Sequence, residues 1–329
     1  MSRKFVEALK ILLSVALAVI ILYFVFREID WPSFIAKAKT VNYSWVVLAM
    51  LVSVPGYLLR AYRWKLQISP LGYHPTTFRM FLAVMSGYLA NLLIPRLGEV
   101  TRCGVLYKSD KVPVSSSFGT VITERIVDVF SLGIIILLTL FLQTDQLLAF
   151  LNKTVDQDTN WTLILSVAGV VMLIGAFVFF KWIYPSPTKI GAFARDLIAG
   201  LISLRSVPIL KFTLVTIAIW ITYFYMSYLV VFAMPETDHL GWEAGLSILS
   251  AGVIAFVLPV QSGFGTFHAL VSAMLVFYGI DETTGVFFAS LLHTSQLLAV
   301  LVLGMTAGTI SIFIKSNANA TENTESARG

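Results

Sequence analysis

Eight apolar runs, most of them long enough to cross a lipid bilayer, dominate this chain. They lie near 9–26, 43–59, 77–94, 118–142, 161–184, 211–234, 243–278 and 284–314. A spanning helix needs about 20 predominantly apolar residues. Inside a bilayer every backbone polar group must be satisfied internally, so helices are expected throughout. The expected fold class is all-α, a polytopic membrane protein with 1–314 as a single integral-membrane domain. The polar stretch 315–329 is expected to be a disordered tail. Charged residues make up 12% of the chain, about half the usual ~25%. That share excludes a disordered protein and an ordinary soluble enzyme. The single cysteine, Cys103, can form no internal disulfide and reads as a packing residue. The first run follows Arg3, Lys4 and Lys10 as a signal peptide would. Bulky Tyr23, Phe24 and Phe26 close it with no small-residue cleavage site, so a retained anchor is expected.

Two runs break in the same way. MSGYLANLLIPRLGEV stops at Pro95, and LSAGVIAFVLPVQSGFG stops at Pro259. Each then enters a glycine-bearing polar turn and a second short helix, near 100–109 and 266–278. Broken backbone at membrane depth is tolerated only inside protein or beside a water-filled cavity. Both elements therefore read as re-entrant or broken helices, with two kinked spanning helices as the alternative. With re-entry, each half (1–142 and 161–314) holds three true crossings, and an odd number inverts the second half. The expectation is about six full transmembrane helices plus two broken elements in an inverted repeat, a recurrent transporter plan.

Charge placement fits that plan. With the N-terminus inside, 18 of the 23 Lys and Arg residues fall on the inner side, and only Arg27, Lys37, Lys39 and Lys153 fall outside. Arg125 lies within a span. Both termini are then cytoplasmic, and the net charge of +5 follows from the positive-inside rule. Nucleic acid is not needed to explain it, and no nucleic-acid motif is present.

Charges at membrane depth are costly and call for an explanation. The densest group is NLLIPRLGEVTR, with Asn91, Arg96, Glu99 and Arg102 around Pro95 and Gly98. Glu99 and Arg102 are helix neighbours at i,i+3. A guanidinium here can hold a phosphate bidentately; a solvated cytoplasmic turn is the alternative. The second group is TERIVD, where Glu124 and Asp128 are i,i+4 and Arg125 precedes Asp128 by three. These should face the interior and meet a cation, with Arg96 or Arg102 as candidates, or else snorkel at an interface. The third is PVQSGFGTFH, where Gln261, Ser262 and Thr266 offer neutral hydrogen bonds. Gly263 and Gly265 there let backbone N–H groups approach a ligand before a helix N-terminus. Ser290, His293 and Gln296 share one helix face, and His293 reads as a polar packing residue. Arg60, Arg63 and Lys65, with Tyr62 and Trp64, close the second run and read first as an interface belt touching anionic lipid.

Four stretches stand in the order found in the membrane region of lysylphosphatidylglycerol synthases, which this chain resembles over about 5–314. They are RAYRWK (Arg60–Lys65), Asn91-x-x-x-Pro95-Arg96-x-Gly98-Glu99-x-x-Arg102, Glu124-Arg125-x-x-Asp128 and Pro259-x-x-Ser262-Gly263-x-Gly265. His268 stands where members of the family usually carry an acidic residue. The resemblance implies movement of a lipid head group across the bilayer by a free-standing member, without the soluble aminoacyl-transferring domain. The expected function is a flippase- or scramblase-like carrier of an anionic or phosphate-linked lipid, phospholipid or polyprenyl-phosphate in type. Its partners would be membrane lipids. No enzyme activity, cofactor or metal is expected. The alternative is a membrane enzyme, or an accessory subunit of one, acting on a lipid phosphate or lipid-linked sugar.

Overall fold

The computed structural model describes residues 31–94, 97–143, 206–257 and 260–313, together with Tyr23 and Lys181. Apart from those two residues, the runs near 9–26 and 161–184 lie outside the described residues, as do Pro95, Arg96, Pro259 and the tail. For Gln261 only the backbone is described.

Every described regular element is helical. The α-helices are α1 (Trp31–Thr40), α2 (Tyr43–Ile68), α3 (Thr77–Leu93), α4 (Leu97–Asp110), α5 (Val114–Leu142), α6 (Ile209–Tyr228), α7 (Trp242–Val257), α8 (Thr266–Phe277) and α9 (Glu282–Phe313). Short 3-10 turns follow α2 at Ser69–Leu71, extend α6 at Leu229–Ala233 and occupy Gln261–Gly263. Four helical stretches are long and apolar enough to cross a membrane: Tyr43–Leu71, Val114–Leu142, Ile209–Ala233 and Glu282–Ser311. The chain is thus a multi-pass, all-α membrane protein. Helix α5 has the polarity that a lipid solvent demands. It turns Phe130, Leu137 and Phe141 outward and buries Thr120, Thr123 and Glu124.

Local signals set the helix ends. Asn42 caps α2, its side chain accepting the Ser44 N–H at 3.2 Å, and Thr76 caps α3 by accepting the Arg79 N–H at 3.3 Å. Residue Ile94 is extended, at φ −137° and ψ 125°, because a residue before proline is pushed out of the helical region. Pro113 and Pro208 start α5 and α6, where a missing N–H costs nothing.

Of the five remaining helices, α3 with α4 and α7 with α8 form two hairpins. Helices α3 and α4 hold 17 and 14 residues, and α7 and α8 hold 16 and 12. At 1.5 Å per residue none exceeds about 26 Å, short of a ~30 Å hydrocarbon core. Each hairpin returns to the end it left. Arg79 at the start of α3 pairs with Asp110 at the end of α4, at 3.1 Å. Ser247 near the start of α7 lies 3.0 Å from the Tyr278 hydroxyl just past α8. These two contacts mark opposite ends of the bundle. Around the first gather Lys65, Arg79, Lys108 and Lys111, with Lys108 bonded to the Ser311 carbonyl of α9 at 3.3 Å. Around the second gather Glu236, Asp238, Glu243, Asp281 and Glu282. There Lys37 of α1 donates to Glu236 at 2.8 Å, a bond that holds the Glu236 carboxyl below the usual carboxylate range.

Candidate functional site

The first hairpin is closed by backbone contact. A methyl group on Gly98 would strike the Gly87 carbonyl and meet the Asn91 side chain at 2.6 Å. Only glycine lets α4 start this close to α3. Asn91 is committed to the same turn: its side-chain oxygen accepts the Gly98 N–H at 2.6 Å. Asn91 therefore shapes the tip, and its amide oxygen is already engaged. Of the tip residues expected from sequence, Arg96 lies outside the described residues.

From this tip, Glu99 and Arg102 reach across to α5. They do not pair with each other, as their i,i+3 spacing allowed. Glu99 accepts from Arg125 at 2.7 Å, a pair whose arginine is 45% exposed. Arg102 instead enters the interior and meets Glu124 at 3.0 Å, both side chains being 5% exposed or less. The two ends of the sequence cluster thus separate into a buried part and a rim part.

The buried part gains two arginines from α2, and this corrects the sequence reading. The second run does not stop near residue 59 at an interface belt. Helix α2 continues to Ile68 and carries Arg60 and Arg63 into the interior. Arg60 pairs with Glu124 at 2.6 Å and Asp128 at 2.8 Å. Arg63 pairs with Asp128 at 2.6 Å and Glu124 at 3.4 Å. The physical reason is counterion placement. Glu124 and Asp128 sit one turn apart on α5, and Arg60 and Arg63 sit one turn apart on the facing helix. Both arginines are then paired without reaching for water. Arg60 also donates to the Tyr223 hydroxyl of α6 at 2.9 Å. Trp64 lies under the Arg102 guanidinium at 4.7 Å and donates its indole N–H to Thr120 at 2.8 Å.

Three guanidiniums (Arg60, Arg63 and Arg102) therefore face two carboxylates (Glu124 and Asp128), which leaves one buried positive charge in surplus. Among the described residues, Nε and Nη2 of Arg102 are buried without a hydrogen-bond partner, as are Nε of Arg60 and of Arg63. An unpaired buried donor is costly, and a donor fork on a net positive cluster suits an oxyanion.

The second hairpin tip is neutral. Gly263 and Gly265 adopt φ values of 72° and 82°, and Ser262 is forced to 48°. Gly265 caps α8 without a side chain, so the first N–H groups of that helix face the turn. Ser262 joins three elements. Its hydroxyl lies 3.5 Å from the Asn91 carbonyl of the first tip, and its own carbonyl accepts from Nε2 of His293 on α9, at 3.0 Å. The His293 ring stacks on Phe267 at 4.8 Å and lies 5.2 Å from the His268 ring. His293 is thus a packed polar residue bonded to the turn between α7 and α8. The two proline-glycine turns meet through Ser262 and Asn91.

Sequence reasoning missed Gln67 and read Arg60 and Arg63 first as an interface belt. The three lie at helical spacing along α2, and that periodicity was the available signal. Gln67 is 5% exposed, and neither end of its amide has a partner among the described residues.

The family model described as "Lysylphosphatidylglycerol synthase TM region" matches residues 11–304. Over 103 residues the chain is 32% identical to a UPF0104 membrane protein of Methanocaldococcus jannaschii, a stretch that covers 30% of each chain. The match therefore spans less than a third of that relative's length. No solved structure matches.

Proposed function

Because the chain belongs to the family of the lysylphosphatidylglycerol synthase transmembrane region, we propose that it is a lipid flippase or scramblase, moving an anionic, phosphate-linked lipid across the cell membrane. The observation that carries this reading is the buried cluster of three arginines and two carboxylates, with Arg102 donors unpaired beside the first hairpin tip. A phosphate entering there satisfies the orphan donors and neutralises the surplus charge. When the site is empty, Glu124 and Asp128 hold the arginines in place. The second tip contributes glycine N–H groups and the start of α8, which favour an anion at close range.

The two hairpins act as re-entrant elements in this reading. Their short helices, their return to opposite ends and the Ser262–Asn91 contact support that role, and an inverted repeat brings such elements together near the midplane. Basic residues at one end of the bundle and acidic residues at the other support cytoplasmic termini. The chain acts as a carrier and not as an enzyme, and a lipid-modifying enzyme is a fitting partner to supply its substrate.

The test is lipid movement in vesicles. Purified protein reconstituted with tail-labelled phospholipids should expose label to an impermeant quencher faster than empty vesicles do. Arg102→Gln should slow this strongly. Wild-type rates equal to empty vesicles, for every phosphate-linked lipid tried, would overturn the reading.

A further inference from the structure

We propose that His268 and His293 form a proton-binding site beneath the second hairpin tip, and that the proton held there crosses with the anionic lipid as its coupling ion. The site stands on its own geometry, and its coupling role rests on the transport reading given above. His268 is 5% exposed and His293 1%, and their rings lie 5.2 Å apart. They occupy the place that the Arg102–Glu124 ion pair occupies in the first hairpin. Arg102 follows the tip glycine Gly98 by four residues and reaches the eleventh residue of α5. His268 follows Gly265 by three and reaches the twelfth residue of α9. One hairpin is fastened to the next long helix by fixed charges. The other is fastened by two groups that gain a charge only by taking up a proton.

Three features suit the pair to one proton. First, Nε2 of His293 faces the Ser262 carbonyl at 3.0 Å. A carbonyl only accepts, so Nε2 carries the hydrogen and Nδ1 is the basic nitrogen. A proton from hydronium bonds to Nδ1, water leaves, and the ring gains one positive charge; release reverses the step. Two charged rings this close would repel, so the pair titrates as a unit holding one proton. Second, three phenylalanine rings surround His293: Phe267 stacked at 4.8 Å, Phe264 at 5.1 Å and Phe256 at 5.9 Å. An aromatic face within about 6 Å attracts a cation, and Phe267 presents its face. Third, the pair is insulated from fixed charge but tied to the first tip. Helix α8 carries no titratable group besides His268, the turn 258–265 carries none, and α7 and α9 add only Glu243 and Glu282, at the acidic end. Helices α2 and α3 bring Tyr57 and Tyr88 against the later part of α9, at Val300, Leu303 and Ala307. The first tip brings Arg96, Glu99 and Arg102 in sequence. Ser262 reaches that tip through the Asn91 carbonyl, and the Asn91 side chain holds Gly98. A charged His293 bonds the Ser262 carbonyl more strongly, and its charge attracts an anion held at Arg102. Proton and anionic lipid therefore each favour binding of the other.

The measurement is proton uptake per lipid moved. The protein is reconstituted in phosphatidylcholine vesicles, with and without tail-labelled phosphatidylglycerol. The vesicles hold a pH-sensitive dye, and the membrane potential is clamped. The outside is then acidified from about pH 7.5 to about pH 6, within the histidine range. Wild type should take up protons at least about fivefold faster when phosphatidylglycerol is present. His293→Gln keeps a donor for the Ser262 carbonyl but has no basic nitrogen. In that variant and in His268→Gln, protons taken up per lipid moved should fall at least about fivefold. A wild type that moves lipid without proton uptake overturns the coupling and leaves the lipid reading intact. An unchanged proton-to-lipid ratio in both variants also overturns it, and a lower melting temperature in that case marks the pair as structural. If neither variant folds or moves lipid, or if wild type moves no lipid and the transport reading fails, NMR spectra of the wild type with nitrogen-labelled histidines decide. The chain has four histidines. His268 and His293 should together gain one proton when phosphatidylglycerol is added at about pH 6, with His293 starting as its Nε2–H tautomer. Two rings that stay neutral before and after the addition overturn the site.

Discussion

The two hairpins have the same plan and opposite chemistry. Both consist of helices too short to cross a membrane, both turn on proline and glycine, and their tips touch through Ser262 and Asn91. Yet the α3–α4 tip is tied to a charged cluster, whereas the α7–α8 tip presents serine, glycine and histidine. They also use glycine differently. Gly98 is needed because another backbone occupies the space where a side chain would stand. Gly263 is needed because the chain turns through φ 72°, a region that costs other residues about 1–2 kcal/mol. The neighbour a Cβ would meet there is a side chain, the Phe256 ring at 3.0 Å, and not backbone. The difference teaches that one backbone device can occur twice while the buried charge gathers at one copy only. At rest the second tip stays neutral.

The sharpest way to break this comparison is to remove the carboxylate at the centre of the charged side. Glu124 is fully buried and meets Arg60, Arg63 and Arg102. Glu124→Gln preserves shape but leaves three guanidiniums with Asp128 alone. Removing one partner of a buried ion pair costs about 3–5 kcal/mol. A large drop in melting temperature in detergent is expected, and no single polar substitution at the second tip should match it. If Ser262→Ala or His293→Phe lowers stability as much, the charge asymmetry between the hairpins has no energetic meaning.

The sequence made the hairpins legible because proline and glycine act locally. The described helices α3 and α7 end at Leu93 and Val257, just before Pro95 and Pro259 in sequence, whereas Pro55, with no glycine-bearing polar turn after it, lies inside α2. The apolar runs located α3, α5, α6, α7, α8 and α9 to within a few residues. The carboxylates Glu124 and Asp128 were legible as interior groups because two charges on one helix turn cannot face lipid cheaply. Their partners were not legible. Arg60 and Arg63 follow an apolar run beside aromatic residues, a pattern shared by interface belts and by buried polar faces. Only the docking of α2 on α5 decides between them. The pairing of Glu99 with Arg125, and not with Arg102, was hidden for the same reason. Local spacing permits an i,i+3 pair, but a facing helix offers better-placed partners.

The glycines give the next largest effects and sharpen the comparison further. Gly98→Ala drives a methyl into the Gly87 carbonyl and the Asn91 side chain, and overpacking typically costs about 1–3 kcal/mol. Enlarging the side chain further should be worse, so Gly98→Asn is expected to melt below Gly98→Ala. At Gly263 the order should reverse. Asparagine tolerates positive φ better than alanine, so Gly263→Asn should melt above Gly263→Ala. The same order at both positions would mean that one physical constraint, steric or conformational, governs both tips.

A smaller effect is expected at the joint between the tips. His293→Phe keeps a ring against Phe267 but removes the bond to the Ser262 carbonyl. One such bond is worth about 0.5–1.5 kcal/mol. The stability loss should therefore be modest, while hydrogen exchange at residues 260–265 should rise. Unchanged exchange there would mean that the Ser262 turn is held by its own backbone and not by α9.

The smallest effect is expected where the charged hairpin reaches the rim. Glu99 and Arg125 form a good pair at 2.7 Å, but the arginine is 45% exposed. Water can solvate either partner once the other is gone, and exposed pairs contribute about 0–1 kcal/mol. Arg125→Ala should thus barely shift the melting temperature, although it neighbours Glu124 in sequence. Added salt should weaken the pair in wild type and have less effect in the variant, because an exposed pair is screened. The charge-swapped double Glu99→Arg with Arg125→Glu should restore what little was lost. A melting-temperature drop for Arg125→Ala comparable to that of Glu124→Gln would show that the rim pair and the buried cluster are one network. The interior network would then extend outward to include Glu99.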